Sequence, residues 1–106
     1  MGKHEVARAA VFLDRDGVIN RVMIRNGMPH PPCHVGEFEI YEDVPEGCAR
    51  LKAANFLLVV ITNQPDVGRG TQSRKAVEAM NLKMRTTLPV LDRIEVCYHA
   101  GEHYGQ

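Results

Sequence analysis

Asp14 and Asp16 stand one residue apart, directly after the apolar run Val11-Phe12-Leu13 and directly before Gly17. Two carboxylates about 5 Å apart repel by roughly 3 kcal/mol at an effective dielectric near 20. A divalent cation removes that penalty, and Mg2+ favours one or two carboxylates with water and phosphate oxygens. Alternatively, one acid stays protonated and serves as a general acid. Gly17 allows close backbone approach, and successive amides in such a turn make an anion nest. A second set of polar groups, Thr62-Asn63-Gln64, follows the apolar run "FLLVVI". A hydroxyl from Thr62 suits a phosphate oxygen. Together these groups read as a metal-assisted phosphoryl-transfer site with an Asp nucleophile. An Asp-x-Asp-Gly after a strand is also compatible with a simple turn or helix N-cap.

The elements that must position these groups follow from the apolar pattern. Residues 8 to 13 read as a strand, too short for a helix and apolar enough for burial on both faces in a parallel sheet. Residues 56 to 62 read the same way, more strongly. Asp43 is placed as a helix N-cap with Glu46 three residues on, close to a capping box. Val44, Cys48 and Leu51 then share a face, which predicts a crossover helix over 44 to 54. A second helix runs from Thr71 to Leu88, with Val77, Met80, Met84 and Leu88 on one stripe and Pro89 at its end. Residues 93 to 98 form a weaker third strand. Strand–helix–strand–helix–strand implies right-handed crossovers and a doubly wound, parallel α/β sheet. Residues 21 to 40, with Asn26-Gly27 and three prolines, read as a hairpin plus loop outside that sheet. In such sheets ligands bind beyond the carboxyl ends of strands. Asp14 and Asp16 share that rim with Thr62 and Asn63.

The 106 residues carry no net formal charge, with 44% hydrophobic and 25% charged residues, which suits one domain with a modest core. Balanced charge gives no footprint for nucleic acid or an anionic membrane. No apolar stretch reaches membrane-spanning length, the charged start is not a secretory signal, and Val6 breaks a myristoylation pattern. Cys33, Cys48 and Cys97 are odd in number and widely spaced, so no disulfide framework is expected and a reducing cytoplasm is the default location.

"FLDRDGVIN" is similar to the first motif of the haloacid dehalogenase (HAD) superfamily of phosphohydrolases, and "VVITNQ" resembles its second. "DRDGVIN", "TNQPDVGRG" and "CYH" most resemble the subgroup of heptose bisphosphate phosphatases and the histidinol-phosphatase domain. The resemblance spans positions 9 to about 103 and implies a HAD-like Rossmannoid fold, with residues 21 to 40 as its squiggle and flap. It implies that Asp14 is the nucleophile that forms an aspartyl-phosphate and binds Mg2+. Asp16 is the implied acid/base, its backbone carbonyl also meeting the metal, and Thr62 holds the phosphoryl group. Arg15, Asn63 and Arg69 match positions that shape the substrate pocket. Cys97 and His99 resemble the first half of a structural Zn2+ loop, here 97 to 106. Its later cysteines are missing, and His103 lies off the pattern. Without the resemblance, a Cys and His near a terminus read as ordinary buried and exposed residues. His30, Cys33 and His34 read as flap loop rather than metal site. The implied substrate is a small sugar phosphate, heptose bisphosphate-like.

The family's later Lys and paired acidic motif find no match: no lysine follows Lys83, Arg93 comes too early, and Asp92, Glu95 and Glu102 are not paired at a strand end. Pro65 and Asp66 replace the small residues usual after "TNQ". The chain therefore reads as the front half of a single partial domain, with one bare edge on strand 8–13 that invites pairing. Three functions follow as expectations: a HAD phosphatase incomplete in isolation, a noncatalytic metal- or phosphate-binding remnant, or an interaction module completed by self-association or a partner chain.

Overall fold

The computed structural model describes residues 8–100. Glu102 and His103 lie outside the described residues. Three parallel strands, β1 (Ala10–Asp14), β4 (Leu57–Asn63) and β5 (Arg93–Cys97), form a sheet in the order β1-β4-β5. The parallel α/β architecture read from the sequence is the one observed. Leu13 pairs with Val60 and Asp14 with Ile61, while Thr62 pairs with Val96. Consecutive crossovers in one direction place α1 (Val44–Ala53) and α3 (Arg74–Thr87) on the same face of the sheet. Val11, Leu13, Leu58, Val60, Ile94 and Val96 point into that face and meet Cys48, Val77, Met80, Met84 and Leu88.

Strand β1 corrects the expectation of burial on both faces. Among the described residues it is an edge strand with alternating burial, and Phe12 on its uncovered side is 64% exposed. The apolar run does not distinguish a strand covered twice from one whose second face stays open. The β4 strand is central, with Leu58 and Val60 fully buried.

Helix α1 follows the predicted face, but Asp43 makes no side-chain cap hydrogen bond because its own backbone is already helical. The second predicted helix begins later than Thr71: Ser73 Oγ accepts from the Ala76 amide at 2.9 Å and starts α3. Before it lies an unanticipated short helix, α2 (Pro65–Arg69), which opens with Pro65 and closes on Gly70 in the left-handed region. Pro fits a first helical turn, and Gly tolerates that closure.

The hairpin within 21–40 is present as β2 (Met23–Arg25) paired antiparallel with β3 (Met28–His30). Asn26 and Gly27 have φ of 53° and 74°, the signs that a two-residue type I′ turn requires. The flap is tied down. Glu37 accepts from Arg25 and from the Cys33 amide, Gln72 donates to the Cys33 carbonyl, and Lys83 donates to the Phe38 carbonyl at 2.7 Å. At the opposite end of the sheet, Lys52 and the Leu58 amide both donate to the Asp92 carboxylate.

Candidate active site

Asp14 closes β1, and Thr62 and Asn63 close β4, so neighbouring parallel strands deliver them to one rim. With Arg15, Asp16 and Ile61 they line a cleft of about 180 Å³. The chain turns sharply after Asp14. The Arg15 carbonyl accepts from the amides of Val18, Ile19 and Asn20, and Gly17, at φ +88°, donates its amide to the Asn20 carbonyl. Those four amides are consumed inside the turn. The anion nest expected behind Asp16 is therefore not formed by them.

The turn points the two acids into different surroundings. Asp14 is exposed at the cleft, and its carboxylate has no hydrogen-bond partner among the described residues. Asp16 is clamped. Its Oδ1 accepts from Arg15 Nε at 3.1 Å and Asn20 Nδ2 at 3.0 Å, and its Oδ2 from Arg15 Nη2 at 3.2 Å and Gln64 Nε2 at 2.9 Å. Four N–H groups converging on two oxygens fix the orientation of this carboxyl group. Asn20 is fully buried and leaves its Oδ1 without a partner among the described residues, so one further donor can be accommodated beside Asp16.

Gln64 also donates to Thr62 Oγ1 at 2.8 Å. With that hydroxyl oxygen already accepting, its single proton remains to be donated, and a phosphate oxygen in the cleft is a suitable acceptor. Gln64 thus couples the acid/base candidate to the phosphate-anchor candidate. The sequence reading placed it on the rim without giving it a role.

Arg15, expected to shape the substrate pocket, borders the cleft. Its side chain is fully buried, bonded to Asp16 and to Asn81 Oδ1 at 3.0 Å, with the guanidinium 5.3 Å from the Phe38 ring centroid. Burial lowers its pKa, and Asp16 opposes that shift. The side chain holds Asp16 and ties it to α3 through Asn81. Asn81, also missed, lies four residues after Val77 on the buried stripe of α3. A polar residue at that spacing was the available signal.

Asp16 and Asn63 also border a second hollow of about 400 Å³, between the flap and α2, whose walls include His30, Asp66 and Arg69. Asp66 and Arg69 pair at 3.0 Å. The expected pocket residues Asn63 and Arg69 are thus brought together, next to the cleft.

The donor set suits Mg2+. A carboxylate and a hydroxyl face the cleft, while Arg15, the only basic residue of its lining among the described residues, has its guanidinium bonded to Asp16 and Asn81. Phosphate bound there needs positive charge from another source, which a hard divalent cation with oxygen ligands provides. For zinc the picture is different. Cys97 ends β5 and His99 follows two residues on, yet among the described residues no three His, Cys, Asp or Glu side chains gather as a metal-holding group. In the flap, Cys33 Sγ is bonded to Arg25 and His34 pairs with Glu37, in keeping with a loop. Among the described residues no helix is long and apolar enough to cross a membrane.

No family model matches the sequence. The chain is 33% identical over 106 residues to a D-glycero-beta-D-manno-heptose-1,7-bisphosphate 7-phosphatase of Haemophilus ducreyi, across 95% of this chain and 55% of that protein. It is 35% identical to the protein of the same name from Vibrio cholerae, across 92% and 52%. Among solved structures, a D,D-heptose 1,7-bisphosphate phosphatase from B. bronchiseptica complexed with magnesium and phosphate superposes with a TM-score of 0.74 at 28% identity, across 92% of this chain and 54% of that one. The chain spans about half the length of the curated relatives it matches.

Proposed function

We propose that this chain, related in sequence and fold to the HAD-like heptose bisphosphate phosphatases, carries the nucleophile-bearing part of a Mg2+-dependent phosphomonoester hydrolase for a small phosphorylated sugar. The observation that supports this most is the meeting of Asp14, Thr62 and Asn63 at the carboxyl ends of adjacent parallel strands, around one small cleft.

When bound, Mg2+ would be held by the Asp14 carboxylate and the Asp16 backbone carbonyl and would offset the charge of the phosphoryl group. An Asp14 oxygen attacks phosphorus, the bond from phosphorus to the leaving oxygen breaks, and an aspartyl-phosphate forms. Thr62 donates its free proton to a phosphoryl oxygen, and the Asn63 amide lines the approach of the substrate. Asp16, in its protonated form, supplies the proton that the leaving alkoxide takes up. Returned to the carboxylate, it accepts a proton from the water that then splits the aspartyl-phosphate. Arg15, Asn20 and Gln64 hold that carboxylate in place.

The test is phosphate release from sugar phosphates with Mg2+, together with borohydride trapping of the acyl phosphate on Asp14 in a single turnover. Asp14→Asn should abolish both signals. Saturable phosphate binding with neither release nor trapping would instead favour a noncatalytic phosphate-binding role.

A further inference from the structure

Strand β5 closes the sheet on the side away from β1, and among the described residues no strand lies beyond it. The Cys97 carbonyl accepts from the Gln64 amide at 2.7 Å, so Cys97 faces β4. Alternation along the strand then turns the N–H and C=O groups of Ile94 and Val96 outward. A groove of about 330 Å³ lies between this edge and α3. Ile94, Val96 and Tyr98 line its strand side, and Glu78, Leu82 and Arg85 its helix side. Leu82 is 66% exposed, an apolar side chain without cover in the body of a helix.

We propose that this face binds a second copy of the chain about a two-fold axis, continuing the sheet from one β5 to the other. The charges of the groove carry the choice of occupant. Glu78 and Arg85 stand about two turns of α3 apart, with Leu82 between them. Val96 is likewise midway between Ile94 and Tyr98, and as a crossover helix α3 runs against the direction of β5. An axis through Val96 and Leu82 therefore sets Glu78 against Arg85 of the second copy, Arg85 against its Glu78, and Ile94 against its Tyr98. Such a contact is self-complementary, as a two-fold interface must be. Arg85 has no partner among the described residues. Glu78 accepts from Arg74 at 3.3 Å in an exposed pair, which leaves it able to take a second cation. Arg74 itself lies over the Tyr98 ring at the end of the groove. Arg93 and Glu95 are bonded to each other on the uncovered face and fall opposite His99 and Cys97 of the second copy, so no like charges meet there.

The experiment is sedimentation velocity on chains that all carry Phe12→Lys, which discourages pairing at the opposite edge of the sheet, on β1. This parent should behave as a reversible monomer–dimer system. Glu78→Arg and Arg85→Glu each set like charges across the axis, and each should weaken the dimer by about tenfold or more. Mixed in equal amounts, the two variants again set opposite charges across it, and the heterodimer should recover to within about threefold of the parent. That recovery separates charge pairing from damage to the helix, which mixing cannot repair. A parent that stays monomeric at millimolar concentration, single variants that dimerise as tightly as the parent, or a mixture that does not recover each overturns the proposal.

Discussion

Arg15 and Asp16 are chain neighbours whose side chains grip one another, Nε to Oδ1 at 3.1 Å and Nη2 to Oδ2 at 3.2 Å. Neighbours in a strand point to opposite faces. These two converge because the strand has ended and the turn through Gly17 swings Asp16 back over the sheet edge. Arg15 is fully buried and its other arm is fixed by Asn81 on α3, so the helix sets where the acid/base candidate stands.

Removing that guanidinium leaves Asp16 with two donors out of four and strips charge from a buried pair. Breaking such a pair costs about 3 kcal/mol, at the low end for a buried pair because Asp16 is 18% exposed. Arg15→Met should show that loss in urea denaturation. Asn81→Leu, which leaves only one arm unpaired, should cost about 1–2 kcal/mol. Equal losses in the two variants would mean that the Asp16 contact adds nothing.

Gln64→Leu preserves side-chain volume while removing the donors to Asp16 Oδ2 and Thr62 Oγ1. The two acceptors keep other partners or face the cleft, so stability should fall by only about 1–2 kcal/mol. The chemical step should suffer more, by roughly tenfold or beyond, because both the acid/base group and the phosphate anchor lose their orientation. Single-turnover trapping at saturating substrate isolates that step. A changed half-saturation with an unchanged maximal rate would confine Gln64 to binding.

The rim of this site was legible because its residues adjoin strand ends, where apolar periodicity stops and chemistry begins. Asp14, Asp16, Thr62 and Asn63 all fall there. Arg15 was harder, since nothing local tells a long cation between two acids whether to face outward or inward. Its burial depends on Phe38 and Asn81, which are remote in sequence and brought near by folding. The exposure of Phe12 was hidden for a similar reason: strand composition reports apolarity, whereas the number of covered faces depends on where the crossovers run. The hairpin was readable outright, because Asn-Gly encodes its turn in the backbone of two residues.

Acid should weaken the fold through Asp92. Its carboxylate accepts from Lys52 Nζ and from the Leu58 amide, and both contacts hold its pKa below the ordinary 3.8. The unfolded chain therefore takes up this proton first as pH falls. The contribution is complete above the unfolded value and is lost as pH drops through the lower folded value. Asp92→Asn should be less stable than the unaltered chain at pH 7, and the gap should narrow toward pH 3. Urea midpoints at the two pH values check this. A constant gap would place the effect in packing rather than charge.

Gly68 permits a close approach between α2 and the segment after β5. A Cβ added there would stand 2.5 Å from the Tyr98 carbonyl oxygen and 2.9 Å from the Ala100 amide nitrogen. Those are backbone atoms, so relief requires one segment to move. Alanine in a helix ordinarily gains about 1 kcal/mol over glycine. The clash, costing about 1–3 kcal/mol, opposes that gain. Gly68→Ala should therefore be neutral to destabilising, and it should shift the amide resonances of Tyr98 and Ala100. A clear gain in melting temperature with those resonances unmoved would show that the approach is looser than described.

The outer edge of β1 has no strand beside it among the described residues, and Phe12 and Ile61, 64% and 40% exposed, lie on the adjoining uncovered face. Unpaired N–H and C=O groups beside apolar side chains template the addition of another strand. The 106-residue chain should therefore self-associate at micromolar concentrations, with a sedimentation coefficient that rises with loading. Phe12→Lys places a charge on that face, and charge is a common device for discouraging edge pairing. The variant should sediment closer to a monomer without losing its near-UV signature. A wild-type boundary that stays monomeric across a hundredfold range of concentration would show that the edge is protected, whatever its appearance.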